Sequence, residues 1–213
     1  MQVAIPLYDG MTALDAIGPY DVLGRLPGAT VVFTGEWTGT VRNDLGNEVL
    51  TVEKVFAEVS SPDIVLVPGG TDVLSHVDDD AEILSWLRTV DATTTWTTSV
   101  CTGALILAKA GLLTGRRATT HWASTDTLAR LGAVPVAERV VTDGKYVTGA
   151  GVSAGLDLAL TLVGIIAGDQ VAEAIQLGIE YDPEPPYQAG SVAKAAPELV
   201  AFVREFLKPV HPM

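Results

Sequence analysis

Cysteine is nearly absent from this chain: Cys101 is the one thiol in 213 residues. A lone cysteine closes no internal disulfide, so the fold must rest on packing, and the composition agrees with a reducing, cytoplasmic location. Positive charge is scarce too. Thirteen Lys and Arg face 26 Asp and Glu, a formal net charge of -13. That field repels phosphate backbones and anionic lipid surfaces, which sets nucleic acid and membranes aside as partners. The longest apolar run, VSAGLDLALTLVGIIAG at 152–168, is broken by Asp157. It falls short of the roughly 20 residues needed to cross a hydrocarbon core of about 30 Å, and reads as a buried helix. The opening MQVAIPLYDG has neither the basic start nor the apolar stretch of a secretory signal.

What is present points to a large core. Apolar residues make up 48% and charged residues 18%, which excludes a disordered chain, and the length suits one domain, taken as 1–213. β-Branched runs alternate with helical patterns. Strands are expected at 3–8, 30–37, 63–67 and 94–100, and helices within 15–26, 81–90, 102–110 and 124–131. ERVVTDGKYVTG at 138–149 reads as a hairpin around Asp143-Gly144. Two or three helices finish the chain, with YDPEPPYQAG at 181–190 as an extended surface loop before the last. Trp86 and Leu87, on the amphipathic 81–90 helix, are expected in the core or at an interface. Strands that alternate with helices pair in parallel through right-handed crossovers, so the fold class is α/β: a three-layer sandwich of a mostly parallel sheet with helices on both faces. Pro6 lacks a ladder donor and must sit at a strand end or a bulge, or else the first strand is misplaced.

Ligands of such sheets bind beyond the carboxyl ends of the strands, where LDAIGP, PGGT and SVCTG lie. In SVCTGALILAKAGLL, residues 99–113, Cys101 falls on the corner between a β-branched run and a helix. A tight strand-to-helix turn lifts a nucleophile clear of the sheet, and the helix N-terminus is expected to draw the thiol pKa from about 8.5 toward neutrality. A lone cysteine at an arbitrary position is more simply a small core residue; its place at the elbow makes Cys101 the candidate nucleophile. By position alone, Asp15 is equally a helix cap. Gly69 and Gly70 form an oxyanion-binding loop or a plain turn, and their place after a strand favours the loop. Thr102 is a first-turn residue whose amide points at the same spot. His121, in ATTHW, reads as structural rather than as a general base. His76 and His211 stand apart, so no metal site can be assembled from spacing.

Five stretches in this order carry a resemblance: LDAIGPYDVL (14–23), DIVLVPGGT (63–71), TSVCTGALILAKAGLLTGRRATTHWA (98–123), ERVVTDGKYVTGAGVSAGLDLAL (138–160) and QLGIEYDPEPPYQAGS (176–191). Together they resemble the PfpI-type, glutamine-amidotransferase-like superfamily, a flavodoxin-like fold with a nucleophile elbow, and within it the isocyanide hydratases. The combination of D-x-x-GP, SVCTG and ATTHW is more selective than any one piece. The resemblance implies Cys101 as nucleophile, Asp15 as its partner carboxylate, no metal or other cofactor, and a homodimer. Thr102 stands where the peptidase-like branch carries His, and Asp15 where the glyoxalase-like and deglycase-like branches carry Glu; both departures favour the hydratases. Gly149-Ala150-Gly151 replaces three consecutive glycines, which bears on how freely the next helix shifts.

For an isocyanide, R–N≡C, the implied course has Cys101 adding to the terminal carbon while protonated Asp15 supplies the proton, giving a thioimidate. Water then attacks with Asp15 as base, and an N-substituted formamide leaves. Backbone amides of Gly70 and Thr102 are the candidates for steadying the developing charge. The alternatives are a glyoxalase- or deglycase-like cysteine enzyme of the same superfamily, and a non-catalytic redox- or ligand-sensing module. Regulators of this fold append a basic helix-turn-helix, for which FVREFLKPVHPM leaves no room.

Overall fold

The computed structural model describes residues 1–207; His211 lies outside them. The elements follow in the order β1 (Gln2–Pro6), α1 (Ala13–Leu23), β2 (Thr30–Gly35), β3 (Gly39–Arg42), β4 (Glu48–Val52), β5 (Lys54–Val55), β6 (Ile64–Val67), α2 (Val73–His76), α3 (Glu82–Asp91), β7 (Trp96–Val100) and α4 (Gly103–Lys109). The second half runs β8 (Arg117–Ala118), α5 (Thr125–Arg130), β9 (Val134–Pro135), β10 (Val140–Asp143), β11 (Tyr146–Gly149), α6 (Ala154–Ala167), α7 (Asp169–Gly178) and α8 (Pro197–Phe206).

Seven strands form one sheet in the order β10-β11-β7-β6-β1-β2-β5. Every pair is parallel except β10–β11. Burial on both faces accounts for the unbroken apolar β6, IVLV. Its residues alternate between two cores. Ile64 and Leu66 join Val3 and Ile5 of β1 under α1, α6 and α7, whereas Val65 and Val67 join Ala4 against α3, α4 and α5. The result is the three-layer α/β sandwich that the alternation of strands and helices predicts.

The chain leaves β1 toward β2 and returns on the opposite side as β6, so a topological switch point lies between β1 and β6, where a crevice opens at the carboxyl ends. Three segments meet there: the start of α1, the Pro68-Gly69-Gly70 loop after β6, and Cys101 after β7. Pro6 is the last residue of β1, paired with Thr34, so the missing N–H falls at the strand end. Asp143 pairs with Tyr146, and Gly144, at φ 62°, supplies the left-handed residue that the β10–β11 turn demands. Trp86 is buried, stacks on Phe56 at 4.7 Å and donates its indole N–H to Val59 O at 2.7 Å.

Two features depart from the sequence reading. The antiparallel β3–β4 ribbon has no counterpart among the expected strands, because most of its residues are exposed and leave no clean alternation. Its tip folds back over the start of α1: Gly10 N donates to Arg42 O at 2.8 Å and Asp44 N to Met11 O at 2.9 Å. The second is α6, expected to be buried, which keeps one face open, with Ile165 47% exposed. Among the described residues no helix is long and apolar enough to cross a membrane.

Candidate active site

Cys101 occupies the left-handed region, at φ 57°, a conformation that costs a non-glycine residue about 1–3 kcal/mol and persists only where its surroundings over-determine it. They do so here. The Cys101 amide donates to Ala150 O at 2.8 Å, and its carbonyl accepts from Thr120 Oγ1 at 2.9 Å. The turn also needs Gly103, where a Cβ would lie 2.2 Å from Val67 O. These contacts build the strand-to-helix elbow that SVCTG predicts, with the thiol aimed at the crevice.

Asp15 is fully buried, at 0% exposure. Its Oδ2 accepts from Gly69 N at 2.9 Å, while Oδ1, equally buried, has no hydrogen-bond partner of ordinary geometry. Burial pushes its pKa up to about 7; the Gly69 amide opposes the rise, the negative charge of Asp44 adds to it, and an interaction with the Cys101 thiol again opposes it. The sequence leaves a helix cap and a reactive carboxylate equally open for Asp15. In the structure the N-cap of α1 is Thr12, whose side chain makes no capping bond, and Asp15 sits in the first turn against Cys101.

The thiol departs from expectation. Burial, and next the charge of Asp15, push Cys101 up to about 12 instead of toward neutrality. The residue is 5% exposed, and that desolvation outweighs the N-terminus of α4, Gly103–Lys109. The amides of Val152 and Thr102 act in the opposite direction, favouring the thiolate. The sulfur therefore keeps its proton at neutral pH while the carboxyl is about half protonated there, and the sulfur gives its proton up as it forms a bond.

A second correction concerns Gly70. Its amide, assigned from the sequence to developing charge, donates instead to Thr102 Oγ1 at 2.9 Å, and that hydroxyl donates back to Gly70 O at 2.8 Å. The hydroxyl of Thr102 thus clamps the PGG loop to the elbow. The amide of Val152, at the turn before α6, does reach the Cys101 sulfur, and no motif in the sequence singles it out.

A cavity of about 390 Å³ opens over Cys101, lined also by Thr12, Asp44, Gly70, Thr102 and His121. Asp15 lies beneath it and contributes no lining surface. A second cavity of about 720 Å³ adjoins it and shares His121 and Val152; it is the larger of the two, but Cys101 is not among its walls. The His121 Nδ1 accepts from Ala123 N at 3.4 Å, burial lowers its pKa, and no hydrogen bond links it to Cys101 or Asp15. Tyr8, unremarked in the sequence, donates its hydroxyl to Pro68 O at 2.8 Å and feels the charges of Asp15 and Cys101 after its own burial. Asp44 accepts from Thr12 Oγ1 at 2.5 Å; its signal was hidden in the ribbon that the sequence did not disclose. Among the described residues no three His, Cys, Asp or Glu side chains converge as metal ligands.

The chain and its fold have parallels among known proteins. An isonitrile hydratase of Pseudomonas putida is 40% identical over 209 residues, 98% of this chain and 91% of that protein. The crystal structure of a ThiJ/PfpI family protein from Pseudomonas syringae superposes with a TM-score of 0.92 at 39% identity, over 97% of this chain and 85% of that one. Toxoplasma gondii DJ-1, at 24% identity, shares the fold with a TM-score of 0.73 over 85% of this chain and 99% of its own. Residues 1–164, from β1 through most of α6 and so including the elbow, the PGG loop and Asp15, match the DJ-1/PfpI family as a whole, and the chain belongs to that family.

Proposed function

We propose that this protein is an isocyanide hydratase, converting R–N≡C and water to an N-substituted formamide, with Cys101 as nucleophile and Asp15 as acid and base. The observation that carries the reading is a fully buried carboxyl, raised to about 7, set against a thiol on a strained elbow. The terminal carbon of an isocyanide accepts a soft nucleophile only if the same carbon is protonated, so the reaction needs an acid within reach of the sulfur. The similarity to the Pseudomonas putida isonitrile hydratase over almost the whole chain supports the same substrate class.

In the first step the Cys101 sulfur bonds to the isocyanide carbon, its proton passes to Asp15, and the Asp15 proton passes to that carbon. The product is the thioimidate Cys–S–CH=N–R, with Asp15 protonated as before. Addition of water across the C=N bond gives Cys–S–CH(OH)–NH–R. Asp15 then protonates the departing sulfur and takes the hydroxyl proton as the carbonyl forms, releasing R–NH–CHO. The Val152 and Thr102 amides stabilise the sulfur when it carries charge. The Tyr8–Pro68 bond and the Thr102–Gly70 clamp hold the loop whose Gly69 amide positions Asp15. Gly70 keeps a positioning role through that clamp.

We further propose one domain over the chain, working as a homodimer in the cytoplasm. Exposed Leu14, Ile17 and Tyr20 on α1, spaced to share one helix face, supply an apolar face that a second copy would cover. The test of function is to incubate the purified protein with an aryl isocyanide and, separately, with methylglyoxal. Formamide from the first and no lactate from the second is the expected result; lactate without formamide would favour the glyoxalase-like alternative.

A further inference from the structure

Asp15 can reach sulfur and the carbon bonded to it, but it has no surface in the cavity from which hydrolytic water must arrive. One carboxylate that does line that cavity, together with Thr12, Gly70 and Cys101, is Asp44, half-buried at the tip of the β3–β4 ribbon. We propose that Asp44 is a second catalytic carboxylate, which holds the water that hydrolyses the Cys101 adduct and accepts the proton that this water gives up. The proposal rests on the hydratase reading and divides its two half-reactions between two carboxylates.

The ribbon tip is built to hold Asp44 in place. Asn43, almost fully buried, uses its Oδ1 to accept the amides of Leu45 at 3.1 Å and Asn47 at 2.9 Å, closing the tip. Its backbone bridges Met11, and the Asp44 amide donates to Met11 O at 2.9 Å. The Asp44 side chain is anchored through one oxygen only: Oδ2 accepts the Thr12 hydroxyl at 2.5 Å. Thr12 O in turn accepts the Asp15 amide at 3.1 Å, so one residue, Thr12, ties the two carboxylates to the start of α1. Oδ1 of Asp44 takes no hydrogen bond from any described residue. A carboxylate with one oxygen fixed and the other open to a cavity over a thioester-like carbon is equipped to hold and deprotonate a water.

The other polar groups of that cavity are less suited. His121 accepts a backbone N–H at Nδ1, so its neutral ring carries the remaining proton on Nε2 and has no lone pair left for water. Asp72 is exposed to solvent, whereas Asp44 is half-buried and anchored by Thr12. Two carboxylates whose surroundings differ in this way, one dry beneath the sulfur and one wet above it, divide acid from base work as paired carboxylates commonly do. The protons balance: water oxygen bonds to the thioimidate carbon, the C=N electron pair moves to nitrogen, the water proton moves to Asp44, and Asp44 delivers it to nitrogen. Asp44 ends as it began.

The test is Asp44→Asn, which keeps an oxygen to accept the Thr12 hydroxyl but removes the base. Wild-type protein and the variant are mixed with an aryl isocyanide, quenched at intervals, and followed for both formamide and the mass of the Cys101 adduct. In the variant the adduct should form and persist, with its hydrolysis slowed by about 10²- to 10⁴-fold and formamide falling in parallel. Asp44→Glu, which restores the base at a shifted position, should recover part of the hydrolysis rate. Wild-type hydrolysis in Asp44→Asn, or adduct formation slowed as much as hydrolysis, would overturn the assignment. If wild-type protein yields neither adduct nor formamide, the hydratase reading fails, and the role for Asp44 falls with it.

Discussion

Asp15 and Cys101 are buried against each other, the sulfur in the wall of the cavity and the carboxyl beneath it, and the charge of the carboxylate opposes ionisation of the thiol. The pair therefore works as a unit that exchanges protons and does not rest as a free thiolate. Turnover should use the protonated carboxyl, so kcat/KM for an isocyanide should decline as pH rises through about 7. Asp15→Asn should lose turnover by about 10²- to 10⁴-fold and lose that decline. A pH profile of formamide formation checks both.

Thiol reactivity should move the other way. Asn at position 15 carries no charge to raise the thiol, so alkylation of Cys101 by iodoacetamide at pH 8 should be faster in Asp15→Asn than in the wild-type protein. Slower alkylation in the variant would mean that the carboxylate activates the sulfur as a base in the resting state.

Stability should carry the same signature. Below pH 3.8 Asp15 is protonated whether folded or not; between 3.8 and about 7 only the folded state holds the proton. The folded state is favoured at the acid end of that window and loses this contribution as pH rises, by up to about 4 kcal/mol in all. The unfolding free energy of Asp15→Asn, measured by urea titration from pH 4 to pH 8, should therefore rise relative to the wild-type value across the window and level off above it. A difference independent of pH would contradict the raised carboxyl.

Most of this site was legible in the sequence, and the reasons it was not wholly so are local. Cys101, Asp15 and the PGG loop each follow a strand, and strand ends in a parallel sheet converge on one crevice, so periodicity brings their segments together, while the pairing of Asp15 with Cys101 was implied only by the resemblance. Burial is a tertiary quantity, and it reversed the expected direction of the thiol: the dipole of a short α4 was set against a desolvation that no local pattern reveals. Val152 acts through its backbone amide, to which its side chain is no guide. Asp44 lies on a ribbon whose mostly exposed residues lack alternation, and its nearness to Thr12 is made by a fold-back over Gly10 and Met11. Pro6 was resolved by register, which places it at the end of β1.

Thr102→Val should show what the loop clamp contributes. It removes the hydroxyl that serves both the amide and the carbonyl of Gly70, leaving buried polar groups unpaired at about 1–3 kcal/mol. Thr102→Ser should recover most of that loss. Equal stability of the Val variant in denaturant would mean that water replaces the hydroxyl.

The apolar face formed by Leu14, Ile17 and Tyr20 should be covered in solution. Light scattering at micromolar concentration should give twice the chain mass, and Ile17→Asp should shift it toward one; a wild-type monomer would remove the dimer from the account.

The central claim is covalent catalysis at Cys101, and the most direct measurement is intact mass during the first turnover. Mixed with excess aryl isocyanide and acid-quenched within milliseconds, the protein should gain the mass of one isocyanide on Cys101 before formamide appears, and Cys101→Ser should gain nothing and form none. Formamide produced by Cys101→Ser at the wild-type rate, or wild-type turnover with the isocyanide mass found on another residue, would contradict it.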